Sequence, residues 1–119
     1  MALLAGGRRF RTNGSQASAP FVDMEPYIFA RFHSREARDE EVAALLRDQV
    51  AFVRNEPGCL AIGAYRPARD PRLFNIHSRW IDEAAFDAHA ALANTLRFVG
   101  RIESFVDDPL EVTRSKSIC

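Results

Sequence analysis

The chain has 119 residues, 47% of them hydrophobic and 27% charged, and its 16 Lys and Arg residues balance its 16 Asp and Glu residues. This length predicts one domain, and the composition is typical of a soluble globular protein. A net charge of zero argues against nucleic acid or an anionic membrane as the main partner, because both select for a basic surplus. No apolar run approaches the roughly 18 residues that a membrane-spanning helix needs. The sequence therefore favours small molecules or other proteins as partners.

The first 24 residues are rich in Gly, Ser, Ala and Arg and show little periodicity. We expect residues 1–24 to form an N-terminal tail and residues 25–119 to form the folded domain. No apolar segment follows Arg8 and Arg9, so they do not form a twin-arginine export signal, and a short presequence is the alternative to a plain tail. Cys59 and Cys119 lack the spacing of a disulfide framework or a metal site. Two free thiols fit a reducing compartment, and we expect a cytoplasmic protein in which Cys59 is buried.

Residues 27–33 alternate in polarity, which predicts a strand with Ile28, Ala30 and Phe32 on one face. Acidic residues between 36 and 41 then favour a helix start, and apolar residues at helical spacing continue to Val53. We predict that the helix ends at residues 55–58, since proline cannot extend the hydrogen-bond ladder and glycine suits a cap.

Residues 59–65 and 73–80 are predicted strands, and Asp82 is the predicted N-cap of a helix. That helix should carry four residues inward: Ala85, Phe86, His89 and Ala93. A second helical run places Phe98, Val99, Ile102 and Val106 on one side, and residues 110–115 form the last strand.

The order is therefore β-α-β-β-α-β, with the second helix broken in two. It predicts an α+β, ferredoxin-like domain in which helices cover one face of an antiparallel sheet. The first and third strands should lie side by side at the centre. The uncovered face needs a partner, and a homodimer that buries it is the simplest answer.

A set of residues in this order resembles the antibiotic biosynthesis monooxygenase family: Glu56-Pro57-Gly58-Cys59, Asp70-Pro71, Phe74, Arg79-Trp80, Ala84-Ala85 and His89. The resemblance covers about residues 26 to 115. It implies a dimeric α+β barrel, since members of that family are built this way. It also implies a choice among cofactor-independent oxygenases of aromatic molecules, quinol oxidases, haem-degrading enzymes and small-molecule isomerases.

Four positions depart from patterns found in that family. Ser78 stands where members often carry Glu, and Asn94 stands where a second His is common. Ile76 replaces an Asn of some aromatic-oxidising members. Ala30 replaces an Asn of the haem-degrading branch, which makes haem the least favoured ligand.

The candidate site is the space between the helices and the sheet. Strand parity puts Phe74, Ile76, Ser78 and Trp80 on one side, and His89 lies on the buried stripe of its helix. We predict His89 as a base or hydrogen-bond partner and Trp80 as a stacking wall. A core histidine and plain core packing are the alternatives. The predicted substrate contacts are Phe32, Phe74, Ile76, Ser78, Asn94, Phe98 and Ile102.

The opposite face of the sheet carries a second polar set, consisting of Arg31, His33, Asn75, His77 and Arg79. It predicts either an anion site inside a dimer barrel or a paired network that fixes the dimer, with Glu111 as the counter-charge of Arg31. The paired network is favoured because buried charges need partners.

Three His residues without metal-ligand spacing and the absence of a phosphate-binding loop argue against a metal site and against a nucleotide. The leading hypothesis is a homodimeric oxidoreductase, a monooxygenase or oxidase that deprotonates a small aromatic or quinol-type substrate. The resemblance implies that the resulting anion reduces O2 directly, with no cofactor. An isomerase of the same fold, a non-catalytic dimer that binds a small molecule or haem, and a purely structural dimer are the alternatives.

Overall fold

The computed structural model describes residues 10–13 and 25–119. The described residues form five strands and three helices: β1 Phe10–Asn13, β2 Tyr27–His33, α1 Asp39–Val53, β3 Cys59–Tyr65, β4 Leu73–Trp80, α2 Glu83–Ala91, α3 Ala93–Glu103 and β5 Leu110–Ser115. The four strands β2 to β5 have the predicted bounds. The predicted tail lies outside the described residues except for β1, so the division at residue 25 stays a prediction.

One sheet runs through the molecule in the order β1-β5-β2-β4-β3. The contacts of β2 with β4 and β5, and of β3 with β4, are antiparallel, whereas β1 pairs with β5 in parallel. The central pairing of β2 with β4 is the one that the sequence predicts. The α+β, ferredoxin-like fold is therefore confirmed.

The three helices cover one face of this sheet, and the core lies between the two layers. In the register of β2 with β4, Ile28 lies opposite Ser78 and Phe32 opposite Phe74. The Phe32 and Phe74 rings are stacked at 5.6 Å between centroids. Trp80, Ile102 and Val42 have no exposed surface. Alternation in β2 and helical spacing in α1 both point at this layer, so local pattern and packing agree.

Two burial predictions are wrong. Ala93 is exposed, because Leu92 breaks the helix with extended backbone angles (φ −67°, ψ 143°) and α3 begins again in a new phase. Thr95 is buried in its place. Cys59 is only half-buried, because it lies on the edge strand β3, where the register shifts between Cys59 and Ala61. This partial burial raises the pKa of the Cys59 thiol.

On the open face of the sheet, two residues of the predicted polar set pair with acidic residues outside that set. His33 lies 3.2 Å from Asp70, and Arg79 donates a 3.0 Å hydrogen bond to Glu25. The His77 ring lies 5.0 Å from that of Phe29 and 5.2 Å from that of Tyr65.

Arg31 occupies the register position between Asn75 and Glu111, on the same open face. The open face thus combines separate polar pairs with an aromatic patch. In the part of the chain that is described, no helix has both the length and the apolar character to cross a membrane.

The turn between α1 and β3 allows a close contact between the two layers. Gly58 has φ +83°, and a Cβ atom placed on it would lie 2.6 Å from the Ala85 Cβ. Its carbonyl accepts a 2.9 Å hydrogen bond from the Ile81 N–H. Only glycine meets both requirements, the positive φ and the contact with α2.

We predict that Gly58→Ala lowers the free energy of unfolding by roughly 2 kcal/mol or more, because it combines left-handed strain with a clash against backbone-fixed Ala85. The matched control is Gly100→Ala in α3, where an added Cβ meets nothing within 4 Å. That change should stabilise the protein by about 0.5–1 kcal/mol, since alanine is the better helix former. Urea unfolding of the three proteins tests both values, and equal effects at the two glycines would refute this account.

Candidate active site

A cavity of about 80 Å³ lies between the helix layer and the covered face of the sheet. Four predicted site residues line it: Ile76, Ser78, His89 and Phe98. The rest of its wall is mostly aliphatic and comes from α1, β2, β3, β5 and the two later helices. The cavity is thus an apolar space with few polar groups, which is the usual form of a small-molecule site.

His89 is the strongest candidate for chemistry in this cavity. It lies in the last turn of α2, and its Nδ1 is 2.7 Å from Oε1 of Glu56. Only 14% of the His89 side chain and 5% of the Glu56 side chain are exposed. The contact is therefore a buried hydrogen bond between an imidazole and a carboxyl group.

The histidine tautomer follows from the form of Glu56. An ionised Glu56 can only accept a hydrogen bond, and in that form of the pair Nδ1 carries the proton and Nε2 keeps its lone pair. Thr95 Oγ1 lies 3.4 Å from the same Nδ1. Burial lowers the pKa of His89, while the hydrogen bond and the charge of Glu56 oppose that shift. His89 is accordingly a neutral imidazole near pH 7, which is the form that accepts a proton.

Glu56 is the functional residue that sequence reasoning missed. We read it as part of the turn that ends α1, where its N–H bonds to the Val53 carbonyl at 2.9 Å. Its side chain instead reaches α2, and its Oε2 is buried without a hydrogen-bond partner among the described residues. A glutamate directly before Pro-Gly, at the end of an amphipathic helix, was the only local signal.

Trp80 does not line the cavity. Its ring packs on the His89 ring at 4.7 Å between centroids and meets the Phe86 ring at 5.9 Å. Its Nε1 donates a 3.0 Å hydrogen bond to Ser78 Oγ. The structure therefore places Trp80 where it fixes the His89 ring and the Ser78 hydroxyl, and substrate stacking on it stays a prediction.

Four other predicted contacts lie away from the cavity. Phe32 and Phe74 stack on each other farther along the sheet, Ile102 is fully buried, and Asn94 Oδ1 accepts a 2.8 Å hydrogen bond from Gln49. The alternation of side chains along a strand predicts which face of the sheet a residue lies on. It does not predict which residues of that face reach the cavity, because each residue advances the strand by about 3.3 Å and the face is longer than the cavity. Within the described residues, no three His, Cys, Asp or Glu side chains are grouped as metal ligands, and we assign none to a metal.

Comparison with known proteins assigns the chain to a family. The model of the antibiotic biosynthesis monooxygenase family matches residues 27–101, which carry α1, α2 and most of α3 with three of the strands. The chain belongs to the antibiotic biosynthesis monooxygenase family. No curated protein sequence matches it.

Solved structures agree with this membership. A crystal structure of an antibiotic biosynthesis monooxygenase superposes with a TM-score of 0.74 at 26% identity, covering 79% of this chain and 99% of that one. A Pseudomonas aeruginosa protein gives 0.75 at 23% identity, with 82% and 98% covered. SnoaB, a cofactor-independent oxygenase from Streptomyces nogalater, gives 0.71 at 18% identity, with 80% and 94% covered. At such identities the last two show a shared fold.

We predict that protein stability falls as the pH drops below about 6.5, the ordinary pKa of histidine. The folded pKa of His89 is lowered, so the unfolded chain binds this proton at a higher pH than the folded chain does. The contribution of His89 to the free energy of unfolding is thus complete above the pKa of the unfolded state. It is lost as the pH falls through the lower pKa of the folded state.

Urea midpoints measured between pH 5 and pH 8 test this dependence. His89→Gln should flatten the slope in this range. A wild-type slope in the His89 variant would contradict the assignment.

Proposed function

We propose that this family member is a cofactor-independent monooxygenase or oxidase of a small aromatic or quinol-type molecule, with His89 as its general base. The observation that carries the proposal is the buried Glu56–His89 hydrogen bond at the wall of an apolar cavity. Family membership and the fold shared with a cofactor-independent oxygenase support the same reaction type.

The proposed first step is removal of a proton from the substrate by Nε2 of His89. The imidazolium that forms is stabilised by Glu56, which acts as a positioning residue in the manner of the carboxylate in a catalytic triad. The apolar wall disfavours water around the substrate anion, so the anion is a stronger reductant than it would be in solvent.

The electrons then pass from this anion to O2. In the oxygenase case, a carbon–oxygen bond forms to give a hydroperoxide, which loses water and leaves a carbonyl group. In the oxidase case, a quinol loses two electrons and two protons, and O2 becomes hydrogen peroxide. Both sequences balance without a further reductant, and in both His89 holds and returns the proton.

The size of the cavity sets a condition on this proposal. A cavity of about 150 Å³ is known to accept benzene, and the present one measures about 80 Å³. An aromatic substrate therefore enters only when α2 or α3 moves outward. We propose that these two helices shift separately to admit it, because the extended backbone of Leu92 interrupts the helix between them.

The small cavity also favours a second candidate, an isomerase. The same His89 would move a proton within a compact, non-aromatic molecule and would need no oxygen. Formation of product under nitrogen distinguishes the isomerase from the oxygenase.

We further propose that the enzyme is a cytoplasmic homodimer that buries the open face of the sheet. Phe29 and Tyr65 on that face are 41% and 56% exposed, and the two cysteines are free thiols. Sedimentation should give twice the mass of one chain, and Phe29→Glu should shift the equilibrium toward the monomer because it places a charge in the interface. Glu41→Gln on α1 is the control, and a monomeric wild type would refute the dimer.

The decisive test of the reaction is oxygen uptake by metal-free protein with a panel of anthrones, naphthols and quinols. His89→Gln should reduce uptake by roughly 10²–10⁴-fold, the usual contribution of a general base. Glu56→Gln should cause a smaller loss, because the amide keeps the size but not the charge that stabilises the imidazolium. Glu41→Gln, at an exposed position, is the matched control.

The pH profile gives a second readout of the same role. In wild type, kcat/KM should rise with pH through an apparent pKa that lies below the ordinary histidine value of 6.5, because burial lowers the pKa of His89. Full activity of His89→Gln, or uptake equal to the buffer blank with every substrate, would count against the proposed reaction.

A further inference from the structure

A second concave site lies on the outer side of α1, away from the His89 cavity. This groove measures about 410 Å³ and runs between α1, the edge strand β3 and the start of β4. Its charged lining residues are Arg47, Arg54 and Arg66, and no acidic residue lines it. Its remaining lining residues are Ala43, Leu46, Val50, Ala64, Tyr65 and Phe74.

The helical repeat explains why two of these arginines meet there. Arg47 and Arg54 are seven residues apart on or just after α1, so they lie two turns apart on one stripe. At about 1.5 Å of rise per residue, their Cα atoms are separated by roughly 10 Å along the helix. Arg66, just after β3, adds the third charge from the other side of the groove.

Two of the three guanidinium groups are held in place by the protein. Arg54 donates to the Ile62 carbonyl on the edge strand at 3.2 Å through Nη2, which leaves other N–H groups for a ligand. Arg66 donates to the Pro71 carbonyl at 3.2 Å and lies over the Phe74 ring at 5.4 Å. A fixed guanidinium binds a carboxylate with less loss of side-chain freedom than a mobile one.

The charge of this groove is only partly neutralised. Arg66 pairs with Glu40 at 3.1 Å and lies 3.8 Å from Asp39. Arg47 and Arg54 form no ion pair with any described residue. The groove thus presents two cations with no ion-pair partner among the described residues, beside an apolar floor formed by Leu46 and Val50, while Arg66 covers the Phe74 ring.

We infer that this arginine groove is a binding site for a small aromatic acid. The carboxylate would meet Arg47 and Arg54, and the ring would lie on the apolar floor. The volume exceeds the roughly 150 Å³ that accepts one benzene ring, so two fused rings fit. Leu46 and Val50 line both this groove and the cavity beside His89. The inference concerns binding alone and does not depend on the proposed reaction.

The test is calorimetric titration of wild-type protein with 2-naphthoate, its neutral isostere 2-naphthamide, and acetate. Naphthoate should bind at least tenfold more tightly than either, because only it offers both the charge and the ring. Tenfold corresponds to about 1.4 kcal/mol, which is within the range of a charge-assisted hydrogen bond. Affinity should also fall as NaCl is added, since exposed charges are screened.

Matched double variants locate the site. Arg47→Gln with Arg54→Gln should weaken naphthoate binding at least tenfold. Arg97→Gln with Arg101→Gln, which removes the same charge from exposed positions of α3, should change it less than twofold. Equal binding of naphthamide or of acetate, or equal loss in both double variants, would overturn the inference.

A measurement on wild type decides the matter even if a variant folds poorly. Phenylglyoxal modifies accessible arginines, and mass spectrometry identifies each modified position. Saturating naphthoate should protect Arg47 and Arg54 and leave Arg97 reactive. Protection of none of these, or of Arg97 as well, would show that naphthoate does not occupy this groove.

Discussion

A carboxyl group buried to 5% exposure needs a partner, and in this protein Glu56 has His89. Their 2.7 Å hydrogen bond joins the end of α1 to the end of α2, two segments that are 33 residues apart. Removing one partner from such a buried pair leaves the other unsatisfied at a cost of about 3–5 kcal/mol. The Trp80 ring packs on the His89 ring, and the Trp80 Nε1–H donates a hydrogen bond to the Ser78 hydroxyl. One contact therefore orients most of the polar groups around the interior cavity and also ties the two helices together.

The turn at Gly58 makes that contact geometrically accessible. A left-handed residue directly before β3 brings the end of α1 close enough to α2 for Ala85 to pack against the glycine. The bond from the Ile81 N–H to the Gly58 carbonyl fixes the same turn to the end of β4. Three elements converge on this short segment, so the position of Glu56 is set by backbone as well as by side-chain interactions.

The fold could be predicted from sequence because its signals are local. Alternation in 27–33 and 73–80, and the Pro-Gly stop after α1, determine the element bounds without help from distant residues. The site could be predicted only in part. Parity and helical spacing placed Ile76, Ser78, His89 and Phe98 around one cavity. They gave no position along the sheet, so they did not separate these residues from Phe32, Phe74 and Ile102, which do not line it. The role of Glu56 was missed because its partner is set by tertiary packing. Ala93 was predicted to be buried because the sequence pattern gives no sign of the interruption of the helix at Leu92.

The break at Leu92 also divides the molecule into parts with different tolerance for change. The segment after α1 and the short helix α2 hold the Glu56–His89 hydrogen bond, so a substitution there alters this buried pair and the stability together. The helix α3 contributes Phe98 and Val99 to the cavity wall, and its Thr95 Oγ1 lies 3.4 Å from Nδ1 of His89. Changes at Phe98 and Val99 can therefore reshape the cavity while the Glu56–His89 hydrogen bond is kept. The shape of the cavity and its buried polar pair are thus set by largely different residues.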